Sequence, residues 1–440
     1  MRILHTADWH LGHRLYDRDR SEEHTRLLDW LLETIEAESV ELLIVAGDVF
    51  DTMNPSNAAR TLYYRFLADV RKTNCRHVVI VGGNHDSPTL LDAPAEVLRQ
   101  LNVHVVGGAC DELADQLLTL YDEAGNPEAL VAAIPFLRDR DLRYSVVGET
   151  ATDRIGRMKA AIAQHYADLG ALAGGRQVEI ADEHGIQVPI IATGHLFATG
   201  SEDAADKESH IYLADRNNIG AEGFPSCFDY IALGHVHQAQ RVGGREWIRY
   251  SGAPLPLTFG EASRKTQGVC LLDLAAGGQQ IIVEQLAPPR WRALRSVRGN
   301  LGEVLKAMDE LVKRQRAAAA AGEWTEDQLR PWLEVRVQHD RSIPLLKQQL
   351  EERLTPNETD LVAQETYLPH LLRFTIERPA SAATTDRLVD AGRRLSELRP
   401  EEVFDQLCNA GGEKRTDYEE LLGSFRELRD WMGEREAVVE

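Results

Sequence analysis

Three observations on this 440-residue chain predict an α/β fold. Short apolar runs of strand type alternate with amphipathic helical stretches. The runs are continuous rather than alternating, as in strands buried on both faces. Five of them end in a small cluster of polar residues, and ligands of open α/β sheets bind at the carboxyl ends of strands.

Residues 2–7 form the first strand. Residues 21–38 read as a helix, with Leu27, Leu28, Leu31 and Ile35 on one face and Ser21 as N-cap. Leu42 to Ala46 and His77 to Val81 are the next strands, each followed by a helical stretch, 57–71 and 90–101. Residues 117–136 read as a hairpin turning at Gly125-Asn126-Pro127, and 151–169 as a helix. Val188–Thr193 and Tyr230–Leu233 complete this part.

At this length more than one folding unit is expected, because single cores stop growing beyond about 250–300 residues. The composition changes at Ala287-Pro288-Pro289-Arg290-Trp291. This sets three expected regions: 1–287, a smaller α+β domain over 288–380, and a helical tail over 381–440. The α+β domain would hold a helix at 300–318, a strand Leu333–Gln338, a helix at 343–354 and a strand Leu371–Glu377. In the tail, Tyr418, Leu421, Leu422, Phe425 and Leu428 make one apolar stripe.

Hydrophobic residues make up 43% of the chain, enough for a large core, but no run approaches the roughly 18 apolar residues of a membrane span. Met1-Arg2-Ile3-Leu4-His5 enters the first strand directly, so no signal peptide and a cytoplasmic location are expected. The five cysteines are scattered without C-x-x-C spacing and read as free thiols. A net charge of −21 argues against tight autonomous binding of nucleic acid, while bound divalent ions would reverse the sign locally.

The strand-end clusters read Asp8-Trp9-His10, Gly47-Asp48, Gly83-Asn84-His85-Asp86, Gly194-His195 and Gly234-His235-Val236-His237. Their carboxylates, carboxamide and imidazoles suit a pair of hydrolytic divalent ions better than a structural zinc. Such a pair needs one bridging ligand, terminal ligands on each ion and an open face for phosphate. Asp8 and His10 alternate in an extended segment and project together. Asp48 is the natural bridge, Asn84 adds a neutral oxygen, and His235 and His237 point the same way. His85, next to a ligand, is the candidate for touching substrate. Asp51 and Asp86 are placed to orient an imidazole from behind. Singly, Asp8 or Asp48 reads equally well as a turn residue and His195 as a core histidine. Together they read as a metal centre.

D-x-H, G-D, G-N-H-D, G-H and G-H-x-H in this order resemble the calcineurin-like metallophosphoesterase superfamily over roughly residues 1–270. Within it, H-T-A-D-W-H-L-G, V-A-G-D-V-F-D-T at 45–52, S-G-A-P-L-P-L-T-F-G-E at 251–261 and the later P-R-W resemble the nucleases of double-strand-break repair. The resemblance implies a four-layered α/β/β/α nuclease domain and a capping domain that helps seat DNA. It implies two ions, Mn²⁺ expected and Mg²⁺ the alternative. Asp8, His10, Asp48 and His237 would hold one and Asp48, Asn84, His195 and His235 the other, with His85 catalytic. It further implies a homodimer through the 57–71 and 90–101 helices, and a tail docking on an SbcC-type coiled-coil ATPase. The activity implied is 3′–5′ exonuclease on double-stranded DNA ends and endonuclease on hairpins, in repair, recombination and replication. Where some members carry a second histidine after the bridging aspartate, this chain has Asp51. Two rivals are a phosphoesterase of small or cyclic nucleotides, which would not need the last 150 or so residues, and a non-catalytic scaffold, which would tolerate ligand loss.

Overall fold

A computed structural model describes residues 1–142, 150–199, 218–264, 266–274, 281–325, 327–339, 342–355, 367–377, 418, 422 and 425. By packing, these divide into two units. One comprises 1–297, 308–334 and 351–373, the other 298–307, 335–350 and 374–440.

The first unit is built on two six-stranded sheets. One runs Ile281–Leu286, Val269–Leu274, Arg2–Thr6, Leu42–Ala46, His77–Val81, Val103–Val106, and its last four strands are parallel. The other runs Gln240–Val242, Arg245–Tyr250, Tyr230–Gly234, Ile190–His195, Pro127–Ala132, Leu117–Tyr121, with its four central strands parallel. Between the sheets lies a core of Ile3, Ile44, Val79, Val131, Ile191 and Ala232. The outer face of the first sheet packs on Ser21–Ala37 and Asn57–Val70 through Leu27, Leu31, Phe66 and Leu67. The outer face of the second packs on Ala151–His184 through Met158, Ile162, Leu169 and Ile180. This is the four-layered α/β/β/α order, and its strands are unbroken apolar runs because both faces of each sheet are covered.

Several elements differ from expectation. Ser21 is the first helical residue rather than the cap: Arg20 precedes the helix and Asp19 Oδ1 accepts from the Ser21 N–H. The stretch at 90–101 is two short helices, Pro88–Asp92 and Ala95–Arg99, because Pro94 has no N–H with which to continue the first. The helix starting at 151 continues past Gly170, Gly174 and Gly175 to His184. It opens on a Thr150/Asp153 capping box and stops at left-handed Gly185. The strand expected at 188–193 spans Ile190–His195, so His195 is its last residue.

After residue 288 the strands Arg292–Gly299, Leu329–Gln338 and His370–Glu377 order as one three-stranded sheet, with helices Leu301–Ala320 and Leu346–Arg353. Tyr418, Leu422 and Phe425 are helical, and the rest of the expected tail, with Leu421 and Leu428, lies outside the described residues. No described helix is long and apolar enough to cross a membrane.

The two sheets meet at their carboxyl ends. His195 Nδ1 donates to the Ala46 carbonyl at 2.9 Å. A Cβ on Gly234 would sit 1.9 Å from that same carbonyl oxygen. Gly234→Ala should therefore force the strand ends apart and lower stability by about 1–3 kcal/mol in urea unfolding. An unchanged midpoint would show that the approach is not tight.

Candidate metal centre

All five clusters arrive at this meeting point. Asp8, Asp48 and Asn84 follow three parallel strands of one sheet, while His195 ends and His235 follows two parallel strands of the other. The local backbone is unusual. Asp8, His10, Asp48 and His235 have φ of 54°, 47°, 49° and 93°, the left-handed region that non-glycine residues avoid. Four ligand candidates in that region mark a site where strain is held by the surrounding fold.

The Asp86 carboxylate ties two of the loops together. It accepts from the main-chain N–H groups of Val49 (3.1 Å), Phe50 (2.9 Å) and Gly83 (2.9 Å) and is fully buried. Asp48 Oδ1 accepts from the His85 N–H at 2.9 Å, and Asp8 Oδ1 from the His235 N–H at 2.9 Å. The Asp8 bond crosses between the sheets.

Two foci result. At one, Asp8, His10 and His237 bring ligand atoms within 4.8 Å of one another. At the other, Asn84 Oδ1 lies 3.0 Å from His195 Nε2 and 2.9 Å from His235 Nδ1, and Asp48 Oδ2 lies 3.3 Å from His195 Nε2. Asp48 Oδ2 is also 3.6 Å from His10 Nε2, which places Asp48 between the foci. Asp51 Oδ1 lies 3.2 Å from His10 Nδ1, and His85 Nδ1 donates to the Asp51 carbonyl at 2.9 Å. His85 is exposed, which leaves its Nε2 accessible above the buried ligands.

The donor set fits a pair of divalent ions. Buried His10 Nε2 makes no hydrogen bond among the described residues, an arrangement that a cation would satisfy. Oxygen and imidazole donors without thiolate suit divalent ions.

Two contributors had no signal in the motifs. Glu261 Oε1 lies 3.3 Å from His237 Nδ1, and its only mark in the sequence is its place at the end of the 251–261 segment. Arg138 Nη2 donates to the Asp86 carbonyl at 3.4 Å, setting a cation against the loop that carries Asn84 and His85.

The charges are strongly coupled. Burial opposes ionisation of Asp48, yet His195, then His10 and His85, hold its carboxyl well below the usual range. Burial likewise opposes charge on His195, but Asp48 outweighs it and pushes the imidazole up to about 9. Against burial, Glu261 pushes His237 up to about 9. Burial and then Asp48 push Asp86 up to about 6, against its three backbone donors.

The sequence matches the calcineurin-like phosphoesterase family over residues 1–239 and the "Type 5 capsule protein repressor C-terminal domain" family over 290–410. Relatives named as the SbcD subunit of the nuclease SbcCD include that of Escherichia coli K12, 35% identical over 412 residues, covering 92% of each chain. That of Rhodobacter capsulatus is 36% identical, covering 87% of this chain and 89% of its own. That of Bacillus subtilis is 30% identical, covering 70% and 76%.

Two outcomes are expected. Asp86→Ala would strand three buried N–H groups and, at about 1–3 kcal/mol each, destabilise the protein by at least about 3 kcal/mol in urea melts. A divalent ion takes only neutral imidazole, and His195 and His237 are protonated at pH 7 when ion-free, so each ion must displace protons. Apparent ion affinity should rise with pH and level off above about 9, and uptake at pH 7 should acidify a weakly buffered solution. Uptake without proton release would contradict this assignment.

Proposed function

The chain belongs to the calcineurin-like phosphoesterase family and, within it, to the SbcD nucleases, and on that premise we propose that it hydrolyses DNA phosphodiesters with two divalent ions, Mn²⁺ first among them. The observation that carries this reading is the pair of foci sharing Asp48 at the joined carboxyl ends of two sheets. Asp8, His10, Asp48 and His237 would hold one ion, and Asp48, Asn84, His195 and His235 the other. Bound there, the ions would supply Lewis acidity and a water of lowered pKa.

The chain's own groups do the rest. Asn84 contributes an oxygen without charge, which keeps the centre receptive to a phosphate. His85 is fixed by its two bonds to the Asp48 and Asp51 segment, so its accessible Nε2 can steady or protonate the leaving oxygen. Arg138, against the loop that carries His85, adds positive charge where the phosphate would lie.

The finer reading is a 3′–5′ exonuclease on double-stranded ends and an endonuclease on hairpins, acting in repair, recombination and replication. It would act in the cytoplasm within an ATP-dependent complex with an SbcC-type coiled-coil ATPase. The names of its relatives support that partner. Exposed Tyr64, Val97 and Leu101, on or next to the 57–70 and 95–99 helices, support a homodimer there. We divide the chain into a nuclease domain at 1–287, a capping domain at 288–380 and a partner-binding tail at 381–440; the family match beginning at 290 supports the first of these boundaries.

His85→Ala should keep its ions and lose at least about 100-fold in cleavage of labelled hairpin DNA, the usual scale of a lost proton-transfer group. Asp48→Ala should lose ion binding as well. Metal content by mass spectrometry and cleavage with the ATPase partner check both. Equal ion loss in the two variants would remove the role given to His85. Intact hairpins with ion-loaded wild type would remove the nuclease reading.

A further inference from the structure

We infer that Glu261 is the positioning residue of the ion site made by Asp8, His10 and His237, and that it makes this the tighter of the two sites. The inference rests on the two-ion reading above and deepens it, by saying which ion is held first and by what.

The two foci differ in what stands behind their imidazoles. His195 is backed by a neutral carbonyl, Ala46 O at 2.9 Å. His237 is backed by the Glu261 carboxylate at 3.3 Å, and His10 by the Asp51 carboxylate at 3.2 Å. A carbonyl fixes which ring nitrogen carries the proton. A carboxylate does that and also raises the electron density of the inward nitrogen, making it a stronger donor to a cation.

Glu261 is built to hold its position. Its Oε2 accepts from the Leu257 N–H at 2.7 Å while Oε1 faces His237. Its own N–H donates to Thr258 Oγ1 at 3.1 Å, and its carbonyl accepts from Gln267 Nε2 at 2.9 Å. The side chain is only 17% exposed, against 26% for Asp51, so water screens it less. A residue needed only to brace the 257–261 turn would use the Leu257 bond and have no reason to present its second oxygen to a ligand.

The test is a Mn²⁺ titration of the full chain, followed by the electron paramagnetic resonance of free Mn²⁺ and by calorimetry. Wild type should show two unequal steps. Glu261→Gln keeps an acceptor for Leu257 but drops the charge. It should weaken the tighter step roughly 10-fold and leave the other unchanged, and Glu261→Ala should approach 100-fold, the range for lost outer partners of ligands. His195→Ala should weaken only the second step. Urea melts of the ion-free proteins separate a folding defect from an affinity loss, and Glu261→Gln should keep the wild-type midpoint. Two intact steps with a silent Glu261→Gln, or a loss in the step that His195→Ala affects, would overturn the inference alone. A wild-type chain that takes up no Mn²⁺ would overturn the two-ion reading and the inference together.

Discussion

The Nδ1 proton of His195 reaches the Ala46 carbonyl across two sheets, and room for that bond exists only because residues 47 and 234 carry no side chain. A Cβ at Gly47 would fall 2.1 Å from His195 Nδ1, and one at Gly234 would fall on the carbonyl itself. Remove the approach and the ligands divide into two half-sites on separate sheets, neither able to clamp a phosphate. The covered layers, the unbroken apolar strands and the sheet-to-sheet core all serve to hold this one edge closed.

Electrostatics at the edge follows from closure. Carboxylates and imidazoles excluded from water strengthen one another, so Asp48 stays ionised while His195 gains a proton. Asp86 shows the complementary solution. It sits too deep to face an ion and spends its oxygens on the backbone of the two loops that carry Asp48 and Asn84. A net charge of −21 gives the chain little attraction of its own for a polyanion.

Much of this is legible in the sequence. The strands 42–46 and 77–81 run as predicted, because a continuous apolar run bounded by polar residues has little freedom to shift. The clustered ligands are visible because each sits within four residues of a strand end. The helix at 151 reads too short. Gly170 looks like a stop at about 1 kcal/mol against helix, but Ala173 and Ile180 bury against the second sheet and carry the helix onward. Glu261 stands at the end of the 251–261 segment, but its pairing with His237 is not legible there: it meets His237 across 24 residues through a turn that no spacing rule anticipates.

The left-handed backbone at Asp8, His10, Asp48 and His235 has a consequence for descent. While ions are useful, selection for coordination would keep Asp and His at these angles, with the fold holding the strain. Should a lineage give up catalysis and keep the fold, that selection would disappear and the strain would remain. Glycine and asparagine tolerate such angles, whereas alanine and the branched residues do not. Decaying copies of this gene would then drift at those four codons toward Gly and Asn, leaving a recognisable scar of the lost centre.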